Sequence, residues 1–324
     1  MKVCKNDIGK RADQFVLEKL KDMTISRTFL VENWNTLFLL INDKKVKPSY
    51  RIREGDKYWI DEEKIKEIRK EKSRGMKISG EIGDLEIVYE DSDCLVVNKQ
   101  SGVVIHPGVG NREGTLANFV KGCLEKKGEF DSNVKRAGIV HRLDKGVSGL
   151  VLFAKNSKSQ ICFQKQFENH TVQKIYHAKI ENGEESKELK EFVPKKKKNI
   201  KDEIEQLKKS NFLCDDSWMK VEGYIGRSKR NRMKMEFTRY EKGGSRYSLT
   251  YIRPLSDDEL LIKIETGRMH QIRATLEYLG VNIVGDTLYK SKSGTGGIPD
   301  TISLSSVLIS LKRLDGSDLT ISLY

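Results

Sequence analysis

The chain has 324 residues, enough for one large domain or two unequal ones. Sixty Lys and Arg stand against 47 Asp and Glu, a net charge of +13 that favours polyanionic partners, nucleic acid first. Five dispersed cysteines without a Cys-x-x-Cys pair and five histidines without ligand spacing argue against a disulfide framework or a zinc site. With no apolar run of membrane-span length and no signal-peptide core, the expectation is a reduced, cytoplasmic protein.

Residues 1–62 read as a small unit of their own. Phe15, Val16 and Leu20 have helical spacing after Arg11 and Asp13. Ser26 is a good N-cap for a second helix carrying Phe29, Leu30, Leu37 and Leu40, interrupted at Asn33–Asn35. Short strands follow at 38–41, near Val46 and at 58–60, the last after the turn Glu54-Gly55-Asp56. Lys10, Arg11, Arg27, Lys44, Lys45, Lys47, Arg51 and Arg53 form a candidate phosphate-binding set. Residues 63–84, charged and poor in apolar side chains, read as a linker.

The second unit, 85–324, opens with two strands around Glu90-Asp91-Ser92-Asp93. Then come Lys99, the turn Ser101-Gly102 and His106, a substrate contact or a structural hydrogen-bonding residue. Thr115 is placed to cap a helix. The centre of the chain is Gly138 to Asn156. The apolar run Gly149–Ala154 is the pattern of a buried strand, and Gly146, Ser148 and Gly149 build a turn before it. His141, Arg142 and Asp144 stand just ahead, at the mouth of that strand. On these residues alone, Asp144 is a turn residue or a reactive carboxylate.

Ser157 is expected to cap an amphipathic helix with Ile161, Phe163 and Phe167 inward. A strand follows, Lys174-x-Tyr176-x-Ala178. Residues 181–217 are polar, with the run Lys195–Lys198, and read as an insertion that is solvated, mobile or in touch with RNA. A basic hairpin follows with Arg227, Lys229, Arg230, Arg232 and Lys234. Leu260–Ile264, containing Lys263, leads into Glu265-Thr266-Gly267-Arg268-Met269-His270-Gln271-Ile272-Arg273, with a helix from there to Gly280. The tail reads as strands.

His141-Arg142-Leu143-Asp144, then Lys145-Gly146-Val147-Ser148-Gly149-Leu150, resembles the signature of the RNA pseudouridine synthases that act on ribosomal and transfer RNA uridines. The stretch from Thr266 to Arg273 and Gly285-Asp286-x-x-Tyr289 resemble further motifs of that family, in the right order. Two departures stand out. Gln100 replaces a Pro, and Ser305-Ser306-Val307 stands where Leu-His-Ala is common; the latter is expected to touch only peripheral contacts. Arg11-x-Asp13, Ser26-Arg27, Ile41-Asn42-x-x-x-Val46 and Gly55-Asp56 resemble the small RNA-binding domain first described in a small-subunit ribosomal protein.

The resemblance implies an α+β fold: a small αβ RNA-binding domain, then a catalytic domain on a long mixed, mostly antiparallel sheet flanked by helices. It implies Asp144 as the essential carboxylate, Tyr176 stacked on the uracil with its hydroxyl also a candidate for proton abstraction during reattachment, and Arg268 as the counter-charge of Asp144. Arg142 is expected to fill the space that the extruded base leaves. His141, Lys99, His106, Lys263 and Arg273 are candidate substrate contacts. Arg11, Arg27, Lys44, Lys47, Arg51 and Arg232 are candidate RNA contacts. The isomerisation consumes no oxidant or external group, so no cofactor or metal is expected. Large-subunit ribosomal RNA is the favoured partner, with transfer RNA the alternative, and the protein is expected to be a monomer without a membrane partner. Rival readings are a non-catalytic RNA-binding or ribosome-assembly factor and a hydrolase using Asp144; no second carboxylate at motif spacing supports the hydrolase.

Overall fold

The computed structural model describes residues 2–289 and 301–324, except 24, 37, 38, 76, 77, 109, 182, 184 and 185. It divides into two units, Met1–Lys77 and Ile78–Tyr324.

In the first unit, helices α1 (Ala12–Lys19) and α2 (Arg27–Glu32) pack beside a three-stranded antiparallel sheet. Its strands are β1 (Leu39–Ile41), β2 (Lys44–Lys45) and β3 (Tyr58–Ile60), in the order β2-β1-β3. Ser26 caps α2 as expected, accepting from the Phe29 N–H at 3.1 Å. The expected longer helix ends at Glu32 instead. Trp34 then turns into the core and its indole N–H donates to the Val46 carbonyl at 2.6 Å. Leu40 lies in β1 rather than in that helix, and Leu37 and Phe38 lie outside the described residues. Buried Asp56 accepts from the Asn42 amide, the Tyr50 hydroxyl and the Arg53 N–H, which fixes the turn before β3.

The stretch expected as a linker is divided between the units. Its first part is a helix, α3 (Glu62–Gly75), whose Ile65 and Ile68 complete the first unit's core. Its last part belongs to the second unit. Ile78 is buried against Ala117 and Ala137, and Glu81 N–H donates to the Asn118 carbonyl at 3.0 Å.

The second unit is built on an 11-stranded sheet. In chain order its elements are β4 (Ile87–Glu90), β5 (Cys94–Lys99), α4 (Leu116–Lys127), β6 (Ser148–Ala154), α5 (Ser157–Glu168) and β7 (Gln173–Glu181). Then come α6 (Lys187–Lys190), α7 (Ile200–Lys209), β8 (Met219–Arg227), β9 (Met235–Thr238), β10 (Arg246–Pro254) and β11 (Glu259–Ile264). Last are α8 (Gln271–Tyr278), β12 (Asn282–Ile283), β13 (Leu304–Lys312) and β14 (Asp318–Ser322). The main path runs β4-β5-β6-β13-β7-β11-β10-β8-β9, with β12 on β7 and β14 on β13. Among the described residues the pairings are antiparallel except β6 with β13. β5 and β6 are buried on both faces, which is why they read as continuous apolar runs.

One face of the sheet carries Val97, Val151, Phe153, Tyr176 and Ile262 beneath α4 and α8. Leu150 and Leu152 on the other face pack on Phe163 of α5. Asn156, not Ser157, caps α5, accepting from Ser159 N–H at 2.9 Å, and Ile161 points to solvent at 69% exposure. The stretch 181–217 is no loose loop among its described residues. Ile204 and Leu207 of α7, with Phe212 and Trp218, cover Ile175, Leu261, Val307 and Leu308 on the sheet's second face. Its lysine run is tied down by Lys197–Glu259 and Lys198–Glu203 ion pairs.

The tail also departs from expectation. β13 enters the centre of the sheet, between β6 and β7, so Ser305 and Ser306 lie opposite Ser148 and Gly149 and opposite His177 and Tyr176. They are central, not peripheral. Gly149 meets this neighbour closely. Its φ is +105°, and a Cβ there would sit 2.2 Å from the Ser306 carbonyl oxygen.

Candidate active site

Asp144 sits in a turn closed by Val147 N–H donating to its carbonyl at 3.1 Å. The loop after β5 staples this turn. Gly102 N–H donates to the Lys145 carbonyl at 2.9 Å, and the Ser101 hydroxyl donates to the Gly146 carbonyl at 2.6 Å. Lys99, fully buried, donates to the carbonyls of Gln100, Val103 and Lys145 at 2.9–3.0 Å. Burial lowers the Lys99 ammonium to about 8, against the pull of the Asp144 charge. Lys99 therefore holds the backbone of the turn, spending its donors on three carbonyls.

Arg273, on α8, reaches the carboxylate, with its Nη1 3.4 Å from Asp144 Oδ2. The guanidinium is gripped from behind by Asp286, at 2.7 and 2.8 Å, and stacks over the Tyr289 ring at 4.8 Å. Burial opposes its charge, but Asp286 and Asp144 together raise Arg273 above its ordinary value. This fork-to-fork clamp explains Gly285-Asp286-x-x-Tyr289.

Arg268 was expected in this place and is not there. Its Nε donates to the Tyr247 carbonyl at 2.8 Å, while its backbone N–H donates to Gln271 Oε1. The reason is geometric. Thr266 and Gln271 bind each other, and Gln271 Nε2 donates to the Leu249 carbonyl, so the turn is fixed to β10. Arg268 leaves it toward β10, and α8 brings Arg273 round to the carboxylate.

Asp144, Tyr176, Arg142, Arg268, Arg273 and His270 are among the residues that line a cavity of about 320 Å³. Tyr176 is buried, and burial with the nearby Asp144 charge raises its phenol, partly offset by a hydrogen bond from Ser306. An adjoining groove of about 850 Å³ shares Arg142, Asp144, His270 and Arg273 and adds His106, Arg227 and Arg232. His106 is held by the Pro107 carbonyl, 2.6 Å from its Nδ1.

Two expected contacts lie elsewhere. His141 Nε2 accepts from the Leu152 N–H at 2.9 Å and its ring stacks on Phe167, so it props β6 past its middle. Its surroundings hold the imidazole down to about 3, first through desolvation, hence neutral. Lys263 points through the opposite face, donating to the Phe212 carbonyl at 2.7 Å and pairing with Glu265. Strand parity decides this: Ile262 and Ile264 face the site, so Lys263 cannot.

Of the expected RNA contacts in the first unit, Arg11 and Arg27 both bind Asp13, at 3.0 and 2.7 Å. Arg51 donates to the Gly9 carbonyl at 2.8 Å. Lys44 and Lys47 are exposed around the β1–β2 hairpin.

The fold and this carboxylate turn define a class. Residues 93–278 match the RNA pseudouridylate synthase family. The chain belongs to that family and is an RNA pseudouridine synthase, an isomerase. It is 30% identical over 309 residues to an uncharacterized RNA pseudouridine synthase of Chlorobaculum parvum, covering 94% of this chain and 80% of that protein. It is 32% identical over 285 residues to the ribosomal large subunit pseudouridine synthase D of Neisseria meningitidis serogroup A, covering 87% of this chain and 64% of that protein. Among solved structures, human RNA pseudouridylate synthase domain containing 1 shares the fold, with a TM-score of 0.51 and 22% identity over 76% of this chain and 85% of that one.

Proposed function

We propose that this protein isomerises specific uridines of large-subunit ribosomal RNA, with Asp144 as the catalytic carboxylate, working as a cytoplasmic monomer. The observation that carries the catalytic part is one carboxylate, on a stapled turn, beside a clamped guanidinium in a cavity floored by Tyr176. The ribosomal substrate is supported by the name of the Neisseria relative and by the net charge of +13. Mapping pseudouridines in large-subunit RNA and transfer RNA from cells with and without the gene tests the substrate. Sites lost only from transfer RNA would refute it.

Pseudouridine formation breaks the bond from ribose carbon 1′ to uracil nitrogen 1, turns the base and rejoins it through carbon 5. Cleavage builds positive character on the ribose, which the Asp144 carboxylate stabilises or captures. Arg273 gives that carboxylate a counter-charge and aims it, and Asp286 keeps Arg273 in place. The target base must leave its stack to be reached, and exposed Arg142, two residues from Asp144, is placed to enter the space it vacates. The Tyr176 ring offers the uracil a stacking face. We assign the first unit to holding RNA through Lys44, Lys47 and Arg51, with Arg232 doing so at the groove.

A further inference from the structure

His270 lines both the cavity and the groove. It is the N-cap of α8 with φ +53° and ψ 25°, a left-handed conformation that a residue with a Cβ adopts only against steric resistance. Backbone strain of this kind gathers where a side chain has to be aimed. Here its Nε2 lies 3.8 Å from Asp144 Oδ2 and its Nδ1 3.0 Å from the Tyr289 hydroxyl oxygen.

Tyr289 fixes the tautomer of His270. Tyr289 has one hydroxyl proton and donates it to the Met235 carbonyl at 3.1 Å. The same oxygen accepts from the Met235 N–H at 2.8 Å. It therefore has only a lone pair left for His270, so Nδ1 carries the proton and donates. Nε2 then presents a bare lone pair to the cavity. At 3.8 Å it makes no hydrogen bond with the carboxylate. The groups facing the ring are Asp144 and Arg142 from the turn before β6, Arg273 from α8, and Asp286 and Tyr289 from the turn after β12. Burial, with the two arginines, lowers the imidazole below its ordinary value against the pull of both carboxylates, so it is neutral at neutral pH.

We propose that His270 is the base that removes the proton from uracil carbon 5 once the base has rejoined the ribose, Nε2 being the acceptor; this rests on the Asp144 cavity being the reaction site. At that stage carbon 5 holds both the ribose and its hydrogen. The C5–H bond breaks, its electron pair restores the ring double bond, and the proton goes to Nε2. The imidazolium formed lies beside the Asp144 carboxylate, which stabilises it. Nitrogen 1, released from ribose, carries one proton in the product. One proton leaves carbon 5 and one arrives at nitrogen 1, from His270 or water, and no other reactant is needed. Tyr176 fits this task poorly, because a phenol raised by burial stays protonated.

The test uses full-length protein and large-subunit ribosomal RNA transcripts made with UTP, 5-deuterated UTP or 5-fluoro-UTP. His270→Asn is expected to slow pseudouridine formation roughly 100-fold and to show a larger deuterium isotope effect than the parent enzyme. A fluorinated uridine has no such proton, so the variant should process it at the parent rate, which also shows that the variant is folded. Equal slowing on both RNAs, or an unchanged isotope effect, overturns the proposal. Asp144→Asn is run beside it and should fail on both RNAs. If Asp144→Asn turns over, the cavity is not the site and the proposal falls with it; if only the His270 results fail, the Asp144 reading stands.

Discussion

Two aspartates show what separates a structural carboxylate from one proposed to react. Asp13, in the first unit, has a side chain with 0% exposure and is bound by two guanidinium groups, those of Arg11 and Arg27, plus the Gln14 N–H. Asp144 in the second has 22% exposure, one guanidinium at 3.4 Å and a histidine at 3.8 Å. Asp13 is saturated: its hydrogen bonds hold its pKa low against its own burial and join the start of α1 to α2. Asp144 is oriented but not used up, and its free side opens on a cavity large enough for a base. The arginine at the second site is likewise spent on Asp286, which is buried, so it positions Asp144 without closing over it.

The difference between the two carboxylates is greatest in what the charge of Asp144 is proposed to do. Asp144→Asn keeps the shape and removes the charge, and should lower isomerisation on the order of 10⁴-fold with RNA affinity and melting temperature close to the parent. A substantial turnover number from purified variant would remove the distinction between the two carboxylates.

Next is the clamp. Arg273→Met leaves Asp286 buried without its partner and should destabilise the second unit by about 3–5 kcal/mol while also impairing catalysis. Arg268→Met should be milder on stability, since Arg268 gives up one bond to a carbonyl. Urea unfolding of the two variants side by side decides which arginine serves the site, and equal losses would undo the assignment to Arg273.

Asp13→Asn is expected to weaken the first unit by about 2 kcal/mol and to leave turnover on a short RNA unchanged. Its pH dependence has a definite sign. The folded pKa lies below the unfolded one, so the stabilisation is complete above about pH 4 and is lost as the pH falls through the folded value. The stability gap between parent and variant should therefore shrink only under acid, and a gap that grew there would contradict the clamp.

How much of this was legible in the chain follows from what is local. The β6 strand and its turn are local: an apolar run behind Gly146, Ser148 and Gly149 needs no partner to be read. The α+β class and the position of Asp144 followed from it with the family motifs. The choice between Arg268 and Arg273 is not local, because it depends on where Gln271 anchors the turn and on Asp286, 13 residues beyond Arg273. Lys263 was misplaced because strand parity relative to the site is unknown until a neighbouring strand is known. Ser306 looked peripheral because its partners on β6 and β7 lie more than 100 residues away in the chain. The polar composition of residues 181–217 masked Ile204 and Leu207, whose spacing makes one apolar stripe on α7. His270 was visible within its motif, but its significance comes from the left-handed backbone and from Tyr289, neither of which has a sequence pattern of its own.

The smallest expected effect concerns the outside of the first unit. Arg11 and Arg27 already spend donors on Asp13, whereas Lys44 and Lys47 stand exposed around the β1–β2 hairpin. If they neutralise phosphates, each releases counterions on binding, and affinity falls with salt by a log–log slope of roughly 0.7 per contact on single strands. The double variant Lys44→Ala/Lys47→Ala should then flatten that slope by about 1.4 and weaken binding most at low salt. The groups proposed to react all lie in the second unit, so turnover at saturating RNA should hold. Full-length parent and variant would be titrated with one RNA over a salt series, with turnover assayed alongside. An unchanged slope would remove these lysines from the RNA interface, while a fall in turnover at saturation would mean that the first unit does more than hold RNA.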